Sequence, residues 1–451
     1  MASDGMHPRR PRALSRRLPP RVLPTAYLGL AHLSLALAFA LVTLDPRGVA
    51  GFFYHSRMLV IVHLVTLGWI TASILGTLYI VGPVALRTRF SAGRLDYAAA
   101  LLVAIGVVGM VAHFWIEEYG GMAWSGATVG AGIVTVGVSI AGRLRRAPVP
   151  AAVRLHIVLP FVNISGAAVM GVLLGFNKVH PFLPGFVLTN VVAHAHLAAI
   201  GWAAMMVVGV SARLLPMVLP AEMPRGWRLW TSAALLQCGA GGLFVTLLLR
   251  AGIVWIFALL AVAGFAVYLS QVIWMLRHPR SKPPAPASRD PAVLHAAAAF
   301  SWLVVACALG MWLSVARTST VTLHAATAYG VLGLVGFLAQ MVVAMEGRVL
   351  PLFAWYWASA NAGEQRPVPA PHEMPWRAGQ ELAFVLWLFG VPALAGGLAF
   401  DAIPFVRAAG WSLLVATVLH SVQVSIILRH AYNGRRRKAS MPHVIDRSAT
   451  R

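Results

Sequence analysis

Apolar residues run through this chain in long unbroken blocks, unlike the alternating or one-faced stripes of soluble strands and helices. A helix needs about 20 apolar residues to cross a bilayer. Twelve segments meet that length, approximately 25–44, 58–86, 95–115, 122–142, 152–175, 186–212, 229–249, 252–276, 292–313, 319–344, 380–400 and 405–428. The pattern predicts an all-α, polytopic integral membrane protein of twelve transmembrane helices. A basic tail over 1–24, a membrane domain over 25–428 and a second basic tail over 429–451 complete the organisation. Prolines and charges in 277–290, RHPRSKPPAPASRD, break the pattern most clearly. The Trp- and Pro-rich stretch 352–379 reads as an interfacial loop.

Composition supports the membrane reading. Of the 451 residues, 59% are hydrophobic and 11% charged, where a soluble domain carries about 25% charge. The net charge of +23 does not mark a nucleic-acid binder, because the basic residues fall between apolar blocks, where topogenic charges belong. With residue 1 inside, only Arg47, Arg57, Lys178, Arg250, Arg317 and Arg407 lie outside, which leaves 30 of the 36 Lys and Arg on the cytoplasmic side. Both termini are therefore expected in the cytoplasm of a bacterium, with the chain in its inner membrane. The first apolar block is long enough to be a retained span despite the six arginines before Pro24. All thirteen acidic residues are expected in loops or at helix ends, Glu346 among them at an inner end. Cys238 and Cys307 stand in apolar blocks as inert core residues, and without CxxCH no haem is attached covalently.

An internal repeat carries the candidate chemistry. His63, Leu64, Gly68, Trp69, Gly76 and Pro83 are matched by His196, Leu197, Gly201, Trp202, Gly209 and Pro216 at identical offsets. A looser third copy has His324, Tyr329 and Gly330, ending at Pro351. The histidines lie 133 and 128 residues apart, a period of four helices, which predicts three four-helix repeats. Twenty residues at 1.5 Å rise span about 30 Å, so His63 and His196 belong at similar heights in the outer part of the membrane. His194 and His196 leave a helix about 200° apart and can serve centres on opposite sides of it. Neutral imidazole suits iron and copper. A lone membrane histidine more often bridges helices by hydrogen bonds, which is the expectation for His32 and His113. The repeated set His63, His194, His196 and His324 points to ligation, and His420 in the last helix joins it as a candidate.

At these residues the sequence resembles the haem–copper oxidase superfamily. AHAHLAAIGWAAMMVVGVSARLLP is similar to the two-histidine helix of its large subunits, especially those of nitric oxide reductases, and His63-Leu-Val-Thr-Leu-Gly resembles the helix that supplies the second ligand of the low-spin haem. NnrS-type membrane proteins, linked to nitric oxide stress, are also similar, with a sparser histidine set. The resemblance implies a bound b-type haem with His63 and His196 on one iron, and His194 or His324 for a second haem or a copper. It implies electron transfer or redox chemistry on nitric oxide or oxygen, with a cytochrome or quinol as donor; any enzyme activity would be that of an oxidoreductase. Arg407 is a candidate partner for haem propionates. The seventh helix lacks the histidine pair that oxidases use for copper, and the two-histidine motif lies on helix six instead of helix ten.

Two readings from other classes stand beside this one: a secondary transporter, for which Pro160, Asn163 and Gln340 are the polar hints, and a haem-free scaffold of a respiratory complex. The topology is tested without reference to any of them. Reporters fused in 277–290 and at the C-terminus should both report the cytoplasm; a periplasmic signal from either would overturn the even helix count.

Overall fold

The computed structural model describes residues 18–432 except 87, 89–91, 219–220, 223–225, 280–289 and 363–366. Most of the expected basic tails and of the 277–290 connector therefore lie outside the described residues. Among the described residues, twelve helices are long and apolar enough to span a membrane: α1 Val22–Leu44, α2 Ser56–Val84, α3 Arg94–Trp115, α4 Tyr119–Leu144, α5 Ala151–Val179, α6 Val187–Pro216, α7 Gly226–Leu248, α8 Val254–Arg277, α9 Pro291–Val315, α10 Thr320–Ala362, α11 Arg377–Ala399 and α12 Ile403–Tyr432. No strand occurs among the described residues. Helices are the expected answer in lipid, where each backbone N–H must find its carbonyl within the same segment.

Eleven of the spans agree with the expected ones to within a few residues, and α10 does not. It has 43 residues, about 65 Å at 1.5 Å per residue and roughly twice the hydrocarbon thickness. The stretch 352–362, expected as loop, continues the helix. Trp355 and Trp357 lie on that extension, where Arg21 stacks 4.0 Å over the Trp357 ring and donates to Ala431 O at 3.0 Å. This ties the start of α1 to the ends of α10 and α12. Cys238 is exposed on α7, contrary to the core position expected for it.

α2, α6 and α10 form the middle of the bundle, and each changes from α- to π-helix for eight residues. These stretches are Leu64–Thr71, Leu197–Ala204 and Leu332–Ala339, and all three touch one another. A π-helix usually survives for a single turn, often near functional sites. Here neighbouring helices hold it. Trp69 Nε1 of α2 donates to Ala339 O of α10 at 3.2 Å, and Trp202 Nε1 of α6 donates to Thr71 Oγ1 of α2 at 3.0 Å. Both tryptophans are almost fully buried. The position on α10 that corresponds to these tryptophans holds Phe337, whose ring meets Phe265 of α8 instead.

The π stretches correct the register of the third sequence copy. His63 and His196 immediately precede their π stretches, and on α10 that place belongs to Val331. Counted from Val331, Leu332, Gly336, Phe337, Ala344 and Pro351 fall at the motif offsets. His324 is two helical turns too early. The structure keeps the motif's packing residues on α10 and replaces its histidine by valine.

Close helix approach explains the glycines. A Cβ on Gly68 would overlap the Ser34 side chain of α1, one on Gly201 would lie 2.9 Å from Asn163 Cβ of α5, and one on Gly336 would lie 2.9 Å from Trp302 Cγ of α9. Each central helix thus packs its motif glycine on the helix before it. The tight turns α3–α4, α7–α8 and α11–α12 also correspond, each turning on one left-handed residue: Glu117 (φ 61), Arg250 (φ 55) and Asp401 (φ 50). Forcing extra atoms into such a contact costs about 1–3 kcal/mol. Gly201→Leu should accordingly lower the unfolding midpoint in detergent. Gly142→Ala, with open space around it, should raise stability by about 0.5–1 kcal/mol. A Gly201→Leu protein as stable as wild type would refute the close approach.

Candidate functional site

A cleft of about 180 Å³ is lined by α2–α6 with an edge of α10. That is less than the about 300–1,000 Å³ of pockets for drug-sized ligands, so a large flat molecule enters only as the lining side chains move apart. Its walls are apolar apart from a few groups. Two of these are His63 of α2 and His194 of α6. His63 Nδ1 lies 2.7 Å from Leu59 O, one turn back on its own helix, and its ring rests on Phe114 at 4.9 Å. His194 Nδ1 lies 2.8 Å from Ala167 O of α5. A carbonyl only accepts, so each ring carries its proton on Nδ1 and keeps its lone pair on Nε2. That tautomer, held by an outer hydrogen bond, is the form in which histidine binds a metal. Gly171 makes room for the second ring: a Cβ there would stand 3.1 Å from His194 Cε1.

Lys178 also lines the cleft. Its ammonium sits 4.4 Å over the Tyr54 ring and 4.5 Å over the Tyr119 ring. Tyr54 belongs to the loop ahead of α2 and lines the cleft too. The cleft thus has two imidazoles in its wall and a cation near its loop end, a combination that suits an apolar ligand with an anionic edge.

The other expected site residues are placed elsewhere. His196 turns away from the cleft: Nδ1 is 2.8 Å from Val192 O, and Nε2 is 3.1 Å from Tyr329 Oη of α10. The structure therefore brings His63 together with His194 and not with His196. His324 packs its ring on Phe400 at 5.7 Å near the start of α10. Arg407 is exposed at the start of α12 and does not line the cleft, whereas Lys178 does.

His420 joins a different group. His32 Nε2 and His420 Nε2 lie 3.2 and 3.0 Å from the same oxygen, Oε2 of Glu346. Oε1 accepts from Ser73 Oγ of α2 at 3.0 Å. Glu346 is 2% exposed, which corrects the expectation of an end-of-helix carboxylate. His32 lies in the middle of α1, Ser73 near the middle of α2 and His420 in the middle of α12, so the carboxylate they surround sits deep in the bundle. Asp96 keeps its expected place near a helix end, where it is paired with Arg143 at 2.8 Å and accepts from Tyr79 Oη at 2.8 Å.

His32, Glu346 and Lys178 were not singled out from sequence as site residues. The signal for Glu346 was the apolar run from Val349 to Trp357 beyond it, which places the glutamate inside the span. For His32 the signal was a histidine ten residues into an apolar first helix. No protein-family model matches the chain, and no curated protein matches it.

Burial, reinforced by Tyr119, pushes the Tyr54 phenol up to about 12, against an ordinary value of about 10. The folded protein then holds this proton more tightly than the unfolded chain. The stability it contributes is complete below about pH 10 and is lost as pH rises through the folded value. Tyr54→Phe should flatten that alkaline loss. Unfolding midpoints measured across the range check it, and parallel curves for the two proteins would rule the contribution out.

Proposed function

We propose that this chain is a haem-binding membrane protein that carries a b-type haem in the α2–α6 cleft, with His63 and His194 as the iron ligands. The observation that carries the reading is the shared wall: two histidines from different helices, both with Nδ1 anchored on a backbone carbonyl, line one apolar cleft. Two neutral imidazoles in apolar surroundings fit the donor set of a bis-histidine iron. Lys178, near the loop end of the cleft, is the cation available to propionates. When bound, haem would supply a one-electron redox centre and, with one ligand displaced, a place for a diatomic gas. The protein's own residues orient the two imidazoles, fix their tautomers and keep water from the ring faces.

Three further parts of the proposal follow the sequence. The local correspondences among α2, α6 and α10 and among the three left-handed turns support a bundle of three four-helix units. The arginine asymmetry supports cytoplasmic termini in a bacterial inner membrane. The family resemblance supports electron transfer or nitric oxide or oxygen redox chemistry, with a cytochrome or quinol as donor. A second haem or copper at His324 is not part of the proposal, because its ring packs on Phe400, and His196 is not an iron ligand in it, because Tyr329 Oη stands at its Nε2.

Purified protein from haem-replete cells should show a Soret band and release haem to organic solvent. His63→Ala and His194→Ala should each convert a low-spin spectrum to high-spin and lower haem content, whereas His196→Ala should leave the spectrum near wild type. A colourless wild-type protein would return the transporter and scaffold readings. Unchanged spectra in both cleft variants would remove the ligand assignment.

A further inference from the structure

The triad His32–Glu346–His420 gathers two rings on one carboxylate oxygen: His32 Nε2 lies 3.2 Å and His420 Nε2 3.0 Å from Glu346 Oε2. Each ring can donate there as a neutral imidazole. Ser421 Oγ lies 2.9 Å from His32 Nδ1 and 2.8 Å from Thr417 O, and its one proton can go to either. The other groups that touch the triad by hydrogen bonds, Ser73 and Ser421, carry no charge. With neutral rings and an ionised carboxylate the triad is a buried net negative charge; one added proton, on a ring or on Glu346, makes it neutral.

We propose that this triad is a proton-binding site, holding one proton deep in the bundle and exchanging it with water through the cavity beside His420. The inference is independent of haem. Charge decides for a proton over a metal ion, although the three ligand atoms lie within 4.8 Å of one another. A carboxylate with two neutral imidazoles is a buried single negative charge; a proton cancels it, while a divalent ion leaves a buried positive one. The titratable groups facing the triad are its own members and His295 of α9, which lies beside His420. Ser73 of α2 and Gln380 of α11 bring hydrogen-bonding groups without charge, and Arg348 on α10 is paired with Asp290.

The route is a small cavity of about 10 Å³, room for about one water, lined by His420, His295, Gln423 and Gln380 together with the first residues of α9 and α11. Two amide atoms in its surroundings, Gln423 Nε2 and Gln340 Oε1, are buried without a partner. Gln423 lines the cavity, and Gln340 Nε2 is 3.2 Å from His295 Nδ1. Buried amide groups of this kind are met by ordered water. A proton arrives on such a water, passes to the His420 ring and is shared with Glu346 and His32, with no electron moved.

The test uses full-length protein in nanodiscs. At neutral pH, ¹⁵N-histidine spectra and the infrared carboxyl band of wild type, read together, should show either one imidazolium beside a carboxylate or a protonated carboxyl beside neutral rings. Glu346→Gln should remove one titrating proton per chain, and Gln423→Leu should slow proton uptake after a pH jump without changing its final extent. Neutral rings beside an ionised carboxylate in wild type would overturn the proposal, and so would an unchanged titration in Glu346→Gln. A stoichiometric divalent metal in wild type, lost in that variant, would overturn it in favour of a metal site. Haem content plays no part in these readings, so failure here is distinguishable from failure of the haem assignment.

Discussion

Everything in this bundle is arranged around the contact of three π-helical stretches at its centre. A helix that widens from i→i+4 to i→i+5 bonding has poorer internal hydrogen bonds and survives only when neighbours over-determine it. In lipid those neighbours must be other helices. Trp69 and Trp202 supply the lock by reaching across to Ala339 O and Thr71 Oγ1. The motif glycines supply the closeness by removing the Cβ that would hold α1, α5 and α9 away. Histidines immediately before two of the π stretches are consequently fixed in height and direction by the same lock.

Two polar centres sit on either side of this middle, and α2 belongs to both. Its His63 and Thr71 line the cleft toward α6, while its Ser73 holds Glu346 and its Trp69 ring meets the His32 ring edge-on at 5.1 Å. The first centre is mostly apolar and the larger of the two. The second is small, and its hydrogen-bonding groups are nearly all matched. Such a division suits a chain whose helices must bury ionisable groups only where partners already stand.

Much of this was legible in the sequence, and the failures have physical causes. Span count and length were legible because apolar length is a direct requirement of the bilayer. The histidine motif was legible, and its partners were not. His63 and His196 occupy equivalent positions on successive central helices, so they face successive gaps: one toward α6, the other toward Tyr329 of α10. Equivalent residues do not meet across one gap, and the residue that shares the cleft wall with His63 is the neighbour on the opposite face, His194. The third copy is out of register in the sequence pattern because His324 mimics the motif histidine two turns ahead of Val331, where the packing pattern continues. Glu346 was misplaced because the apolar count was closed at residue 344, before the helix resumed its apolar face.

The triad also constrains how the chain is made. Its members come from the first, tenth and twelfth helices, with His32 and Glu346 separated by 314 residues. When α10 enters the membrane, its carboxylate faces lipid at a cost of several kcal/mol unless α1 is already beside it. His420 has then yet to leave the ribosome. The first helix must therefore be kept at the insertion site, or return to it, long after its own synthesis is over. α12 then closes the ring between them, so the charge compensation of the bundle is complete only when translation is.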